Sequence, residues 1–119
     1  MQKGRIFRLL SYRFKGTPEE EKEFNEWYNK THIVHALSED EYLDGYRYQD
    51  IEDPHEYLTV YYFASEESFH RMRANLGKSM ESENTKQWLY WSKNYLEGYS
   101  AKTYRQLYPE GPVVEIESE

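Results

Sequence analysis

Glu56-Tyr57-Leu58-Thr59-Val60-Tyr61-Tyr62-Phe63-Ala64 is the clearest strand in the chain, and its reading decides the fold. Leu58, Val60 and Tyr62 alternate with Tyr57, Thr59, Tyr61 and Phe63, residue types that suit a pleated, half-buried surface. Apolar and aromatic side chains fall on both faces, so the sheet holding this strand needs cover on both. Upstream, Glu52-Asp53-Pro54 reads as a turn and 42–51 as a strand with a Gly45 bend before Tyr46-Arg47-Tyr48, which makes the two strands antiparallel neighbours. Downstream, Ser65 caps a helix predicted from Glu66 to about Leu76, with Phe69, Met72 and Leu76 inward and Gly77 as its stop.

Further out, 4–14 reads as a first strand, with Ile6, Leu10, Tyr12 and Phe14 on one face and Phe7, Leu9 and Ser11 on the other. Thr17-Pro18-Glu19-Glu20 is a helix start with a capping box, and the glutamates favour the positive helix end. The helix is predicted to reach about Lys30 or Thr31, with a short extra turn through Ala36 and Leu37. At about 100° per residue, Phe24, Trp27, Tyr28, Thr31 and His35 share one stripe and His32 sits at its edge. Ser38-Glu39-Asp40-Glu41 is a polar link. A third helical segment is expected from about Asn84 to Leu96, with Trp88, Trp91, Tyr95 and, at the margin, Leu89 as its apolar face and Gly98 as its stop. A fourth strand, 99–108, sets Ala101, Thr103 and Leu107 against Lys102, Tyr104 and Gln106.

This order, β-α-β-β-α-(α)-β, predicts an α+β fold, a ferredoxin-like sandwich of one four-stranded antiparallel sheet with helices on one face. A second copy is the natural cover for the other face, so an isologous homodimer closing into a barrel is expected. Residues 1–108 form the domain, and 109–119 an acidic C-terminal tail whose Val113, Val114 and Ile116 are apolar enough to reach across a partner subunit.

A chain of 119 residues makes one domain with a real core. Its net charge of −7, with Lys and Arg scattered, argues against a nucleic-acid partner. The absence of cysteine excludes disulfides, thiolate nucleophiles and Cys-ligated metals. With no run near the ~18 apolar residues of a spanning helix and no signal-peptide pattern, a cytoplasmic chain without a membrane partner is expected. Thirteen Tyr, five Phe and three Trp make 18% of the sequence, a composition suited to a cavity for a flat organic ligand or to a large subunit interface. There is no G-x-G-x-x-G, P-loop, G-x-S-x-G or H-E-x-x-H, so nucleotide-dependent, serine-hydrolase and zincin chemistry is not expected.

Four segments carry a resemblance. Glu26-Trp27-Tyr28-Asn29-Lys30-Thr31-His32-Ile33 is similar to a W-Y-x-x-x-H-[IV]-P helix end; Gly45-Tyr46-Arg47-Tyr48 to a G-x-x-R-Y strand; 57–65 to a Y-L-x-x-Y-x-x-x-S run; and 88–108 to a closing helix and strand. Together they resemble the dimeric α+β barrel superfamily, in particular its EthD-like and related small-molecule branches. The resemblance implies that fold and a reaction from a mixed set: cofactor-free monooxygenases, lactone isomerases, polyketide cyclases and proteins without assigned activity. Val34 stands where the pattern has Pro, so the chain leaving His32 is expected to be more helical.

His32 matches the helix-end histidine, which in such barrels faces the cavity between helix and sheet. A half-buried imidazole titrating near neutral pH suits general acid/base catalysis, with Tyr48 and Tyr62 hydroxyls holding a developing oxyanion. The structural alternative is a histidine capping the last carbonyls of its own helix. Trp27, Tyr28, His35, Tyr12, Arg47, Tyr61, Trp88 and Tyr104 are the candidate substrate-binding residues, Arg47 either pairing a ligand carboxylate or stacking on a ring, or else satisfying Asp50 or an inter-strand carboxylate. His32 and His35 would need a third ligand from Glu39 or Asp40 to hold a metal, so no metal site is expected. His55 and His70 read as exposed. The expected function is a cofactor-independent cyclase, isomerase or monooxygenase acting on an aromatic or polyketide-like molecule. The rivals are a non-catalytic ligand-binding or interaction module and a haem-binding protein using His32 or His35 as axial ligand.

Overall fold

A computed structural model describes residues 5–39, 42–74 and 82–108. The elements run β1 (Ile6–Phe14), α1 (Pro18–Trp27), a π-helical turn (Tyr28–His32), α2 (Ile33–Glu39), β2 (Tyr42–Gln49), β3 (Glu56–Phe63), α3 (Glu66–Ala74), α4 (Glu83–Tyr95) and β4 (Leu96–Arg105). The strands form one antiparallel sheet in the order β2-β3-β1-β4, with the helices on one face. This is the ferredoxin-like α+β sandwich that the alternation within 56–64 demands. Leu76, Gly77 and the 109–119 tail lie outside the described residues.

Register assigns the two faces. Leu10↔Thr59 and Tyr12↔Tyr57 pair beneath the helices, while Phe7↔Tyr62, Leu9↔Val60 and Ser11↔Leu58 pair on the open side. Beneath α1 and α4, Tyr12, Phe14, Phe24, Tyr28, Tyr57, Trp91 and Leu96 make the main core, and Phe24 and Tyr28 have no exposed surface. The capping box forms as read: the Glu20 N–H donates to Thr17 Oγ1 (3.2 Å) and the Thr17 N–H to Glu20 Oε1 (2.8 Å). Tyr95 donates to the other Glu20 oxygen at 2.7 Å, so the same carboxylate starts α1 and anchors the end of α4.

Three expectations change. The first helix is not one straight stripe, because the Ile33 N–H reaches back to the Tyr28 carbonyl and closes a π turn. Such a turn takes in one more residue than an α-turn and rotates the buried face. Phe24, Tyr28 and His32 therefore point inward, followed by Ala36, while Thr31 is exposed. His32 moves from the edge of the stripe to its centre. Beyond the turn the chain stays helical through α2, as Val34 in place of Pro allows.

Gly98 does not stop α4. The helix passes directly into β4 at Leu96, and Gly98, at φ 64°, lies where the register slips between Ser11↔Ser100 and Arg13↔Glu97. It is a bulge glycine in the left-handed region. An added Cβ would meet nothing within 4 Å, so Gly98→Ala should cost only the backbone term, about 1 kcal/mol, read as a lowered urea midpoint with unchanged slope. Leu89 and Leu107 are 45% and 79% exposed, and neither joins the core.

Candidate functional site

The π turn sets His32 into an aromatic box. Its ring lies between Trp27 (centroids 4.8 Å, planes 23° apart) and Trp88 (5.2 Å, 11°), with Tyr28 edge-on at 4.7 Å. Its Nδ1–H donates to Asn84 Oδ1 of α4 at 3.2 Å, which leaves the lone pair of the neutral ring on Nε2. Burial pushes the His32 pKa down to about 4; Asn84 opposes the shift, while nearby His35 and Arg47 add to it. The expected titration near neutral pH is thus corrected: the flanking indoles keep water from the ring, and it is uncharged at pH 7.

A polar chain runs from this box to the sheet. Tyr28 donates to Thr59 Oγ1 at 3.0 Å and lies 3.4 Å from the Tyr61 hydroxyl, and burial holds Tyr12, Tyr28 and Tyr61 well above the usual phenol range. Arg47 lies 4.1 Å over the Tyr28 ring and donates to Tyr12 Oη and Asn29 Oδ1, each at 3.0 Å. Its bonds go to these neighbours and not to Asp50, whose Oδ1 accepts from the Glu52 and Asp53 N–H groups.

A cleft of about 520 Å³ opens at the other end of the helical face, between α3 and the β1–β4 edge. Ile6, Phe69 and Met72 give it apolar walls, and Arg8, Arg73, Thr103, Tyr104 and Arg105 complete the lining. Arg105 is paired with Glu66 at 3.0 Å, and Arg73 lies 5.7 Å from the Phe69 ring centre. Arg8 is close enough to Tyr99 to favour its ionised form against the burial that raises it. Tyr99 in turn contacts Trp88 at 5.7 Å. The cleft wall and the imidazole box are therefore linked through two side chains.

No known family pattern matches the sequence, and no curated protein matches it either. Solved structures do match. A candidate antibiotic biosynthesis monooxygenase from Nitrosomonas europaea superposes with a TM-score of 0.64 at 15% identity, over 93% of this chain and 98% of that one. A conserved protein from Methanosarcina mazei Go1 gives 0.60 at 20% identity, over 86% and 93%. SnoaB, a cofactor-independent oxygenase from Streptomyces nogalater, gives 0.59 at 12% identity, over 90% and 99%. At these identities the likeness shows the fold alone, a ferredoxin-like α+β sandwich with one four-stranded antiparallel sheet.

On this sheet the candidate residues divide between two faces. His32, Trp27, Tyr28, Trp88, Tyr12, Arg47 and Tyr61 gather on the helical side, and His35 is half-buried one turn beyond His32. Tyr48, Tyr62 and the ring of Tyr104 lie on the open side: Tyr48 pairs across from Leu58, and Tyr62 and Tyr104 flank Phe7 at 5.5 and 5.6 Å, Tyr104 also bordering the cleft at the β4 edge. Within the chain the sheet stands between these tyrosines and His32, so the expected grouping of His32 with Tyr48 and Tyr62 is not assembled. Sequence reasoning missed most of the cleft. The available signal was Arg8, a charged residue between Ile6 and Leu10 on the inward-facing side of β1. Among the described residues, no three His, Asp or Glu side chains cluster as metal ligands. No helix among them is long and apolar enough to cross a membrane.

Proposed function

We propose that this protein is a cofactor-independent enzyme that binds a small aromatic molecule in the cleft between α3 and the β1–β4 edge. The observation that carries the reading is the cleft itself: apolar walls of Ile6, Phe69 and Met72 meet a rim of guanidinium groups, in a volume within the ~300–1,000 Å³ of small-molecule sites. A fixed guanidinium favours the ionised form of a phenol or enol beside it. That anion is electron-rich at carbon and reacts without help from a bound cofactor. With O2 as oxidant, a phenol carrying a free ring C–H position gains O2 and loses one water to become a quinone. The oxygenase named among the similar structures favours this oxidation over cyclisation or isomerisation.

His32 supports the site without being its base. A neutral imidazole with a pKa of about 4 takes up a proton poorly at pH 7, whereas its stacking and its bond to Asn84 tie the π turn to α4. Phe7, Leu9, Leu58 and Tyr62 are the apolar centre of the open face, and a second copy covers them in the working enzyme.

The test is O2 uptake by the full-length protein with hydroxynaphthalene and anthrone probes, checked by quinone absorbance. Arg8→Met should lose about 100-fold in turnover, the usual order for removing one electrostatic stabiliser, while His32→Gln stays within about tenfold of wild type. The opposite ranking, with both variants folded by circular dichroism, would return the chemistry to the imidazole. Probe binding without turnover would instead identify a non-catalytic ligand-binding module.

A further inference from the structure

We infer that the molecule taken by the cleft carries a fixed anionic group, a carboxylate or a phosphate on an apolar body, and that Arg8 and Arg73 are the residues that read it. The inference rests on the cleft being the substrate site and adds the substrate's chemical class. The protein carries a net charge of −7, yet among the described residues the cleft lining holds three arginines and no carboxylate. Outside the cleft Arg13 is matched to Asp53 at 3.0 Å and Glu97 at 3.7 Å, and within the cleft Arg105 is already held by Glu66 at 3.0 Å. Arg47, outside the cleft, gives its two terminal nitrogens to Asn29 and Tyr12 and keeps only its buried Nε without a partner. Among the described residues, no carboxylate lies within ion-pair distance of Arg8 or Arg73.

Arg8 is the more telling of the two. It sits half-buried, opposite Thr103 across β1–β4 and between the inward-facing Ile6 and Leu10. A guanidinium at such a position forfeits hydration that only a bound anion or hydrogen-bond acceptor restores. Its neighbour Tyr99 is a neutral phenol with one oxygen to offer. Arg73 approaches from α3, so the two groups reach the cleft from opposite walls. Planar guanidinium forks suit the oxygens of a carboxylate or phosphate, and Thr103 supplies a hydroxyl donor at the same rim. Phe69, Met72 and Ile6 then receive the apolar body. Arg105, already held by Glu66, contributes charge but is not free to form a fork with the ligand.

Calorimetric titration of the full-length protein with 2-naphthoate, 2-naphthyl phosphate and methyl 2-naphthoate separates the outcomes. At least one of the two anions should bind tenfold or more tightly than the ester, and the better anion identifies which oxyanion the site prefers. Arg8→Gln and Arg73→Gln should each weaken that anion about tenfold and leave the ester unchanged. Thr103→Trp, which fills the cleft from the exposed edge strand, should block all three probes. Equal affinity for anion and ester, or arginine variants that weaken both alike, overturns the anionic class. If Thr103→Trp still blocks binding in that case, the cleft remains the substrate site. Binding that survives Thr103→Trp, or no binding by any probe, overturns both the anionic class and the cleft reading beneath it.

Discussion

Acidification from pH 7 to pH 4 is expected to remove roughly 3 kcal/mol of folding free energy through His32 alone, the linkage value of a pKa near 6.5 unfolded falling to about 4 in the fold. The sign follows from which state takes the proton. Between those two values the unfolded chain binds a proton at this position and the folded chain does not. The contribution is therefore complete above about pH 6.5 and drains away as the pH falls towards 4. Desolvation is the dominant cause, since the ring lies between Trp27 and Trp88, and the Asn84 bond only partly offsets it. Glu20 and Asp53, both lowered by hydrogen bonds, lose their contributions at more acid pH, from below their ordinary values of 4.5 and 3.8. The interval from 6.5 to about 5 consequently isolates His32 from them. Urea midpoints measured in half-unit steps should fall across it for wild type and stay nearly level for His32→Gln, in which an amide N–H can still reach Asn84. Parallel curves for the two proteins would mean that the imidazole is hydrated and the box open.

The same box marks the boundary of what the sequence reveals. Alternation in 56–63 and in 6–14 identifies both central strands and their two faces, because a period of two survives any twist of the sheet. Thr17-Pro18-Glu19-Glu20 announces a helix start through purely local chemistry, and the structure contains that same capping box. The π turn has no such local signature. Asn29, Lys30 and Thr31 are as compatible with an α-turn, and the choice is made by Tyr28 and His32 reaching Thr59 and the two indoles. Hence a strict helical projection placed Thr31 inside and His32 at the margin. Gly98 shows the opposite ambiguity: a glycine after an amphipathic run reads as a helix stop, but its positive φ serves a bulge in β4. Strand parity separates tyrosines into two sets without saying which set lies under the helices, and that is how Tyr48 and Tyr62 came to be grouped with His32. The cleft was least legible of all. Arg8, Arg73 and Arg105 come from β1, α3 and β4, so a charge cluster in space is a scatter of single arginines along the chain.

Trp88→Ala is expected to destabilise the protein by about 3 kcal/mol at pH 7, towards the lower end of the cost of truncating a core tryptophan because the residue is only partly buried. Its indole touches Tyr12 (5.9 Å), Tyr28 (6.0 Å), His32 (5.2 Å) and Tyr99 (5.7 Å), so truncation opens a gap where α4 meets both the sheet and the π turn. Water entering that gap reaches one whole face of the imidazole. The desolvation that holds His32 near 4 then weakens, and its pKa should climb back towards 6.5. The two effects are linked, because a variant whose folded-state pKa has recovered no longer loses stability on acidification through this group. Trp88→Ala should therefore be markedly less stable than wild type at pH 7 and closer to it at pH 5. Chemical denaturation at the two pH values, with an NMR titration of the His32 ring, measures both. Combining the change with His32→Gln should give less than the sum of the single effects, as contacting residues do. A tryptophan that merely walled an open chamber would behave differently: its truncation would cost under about 1 kcal/mol, like an ordinary surface change, and leave the imidazole pKa where it was. The stacking of Trp88 within 11° of the His32 plane points to the larger cost, and with it to an imidazole that braces the fold beside the cleft.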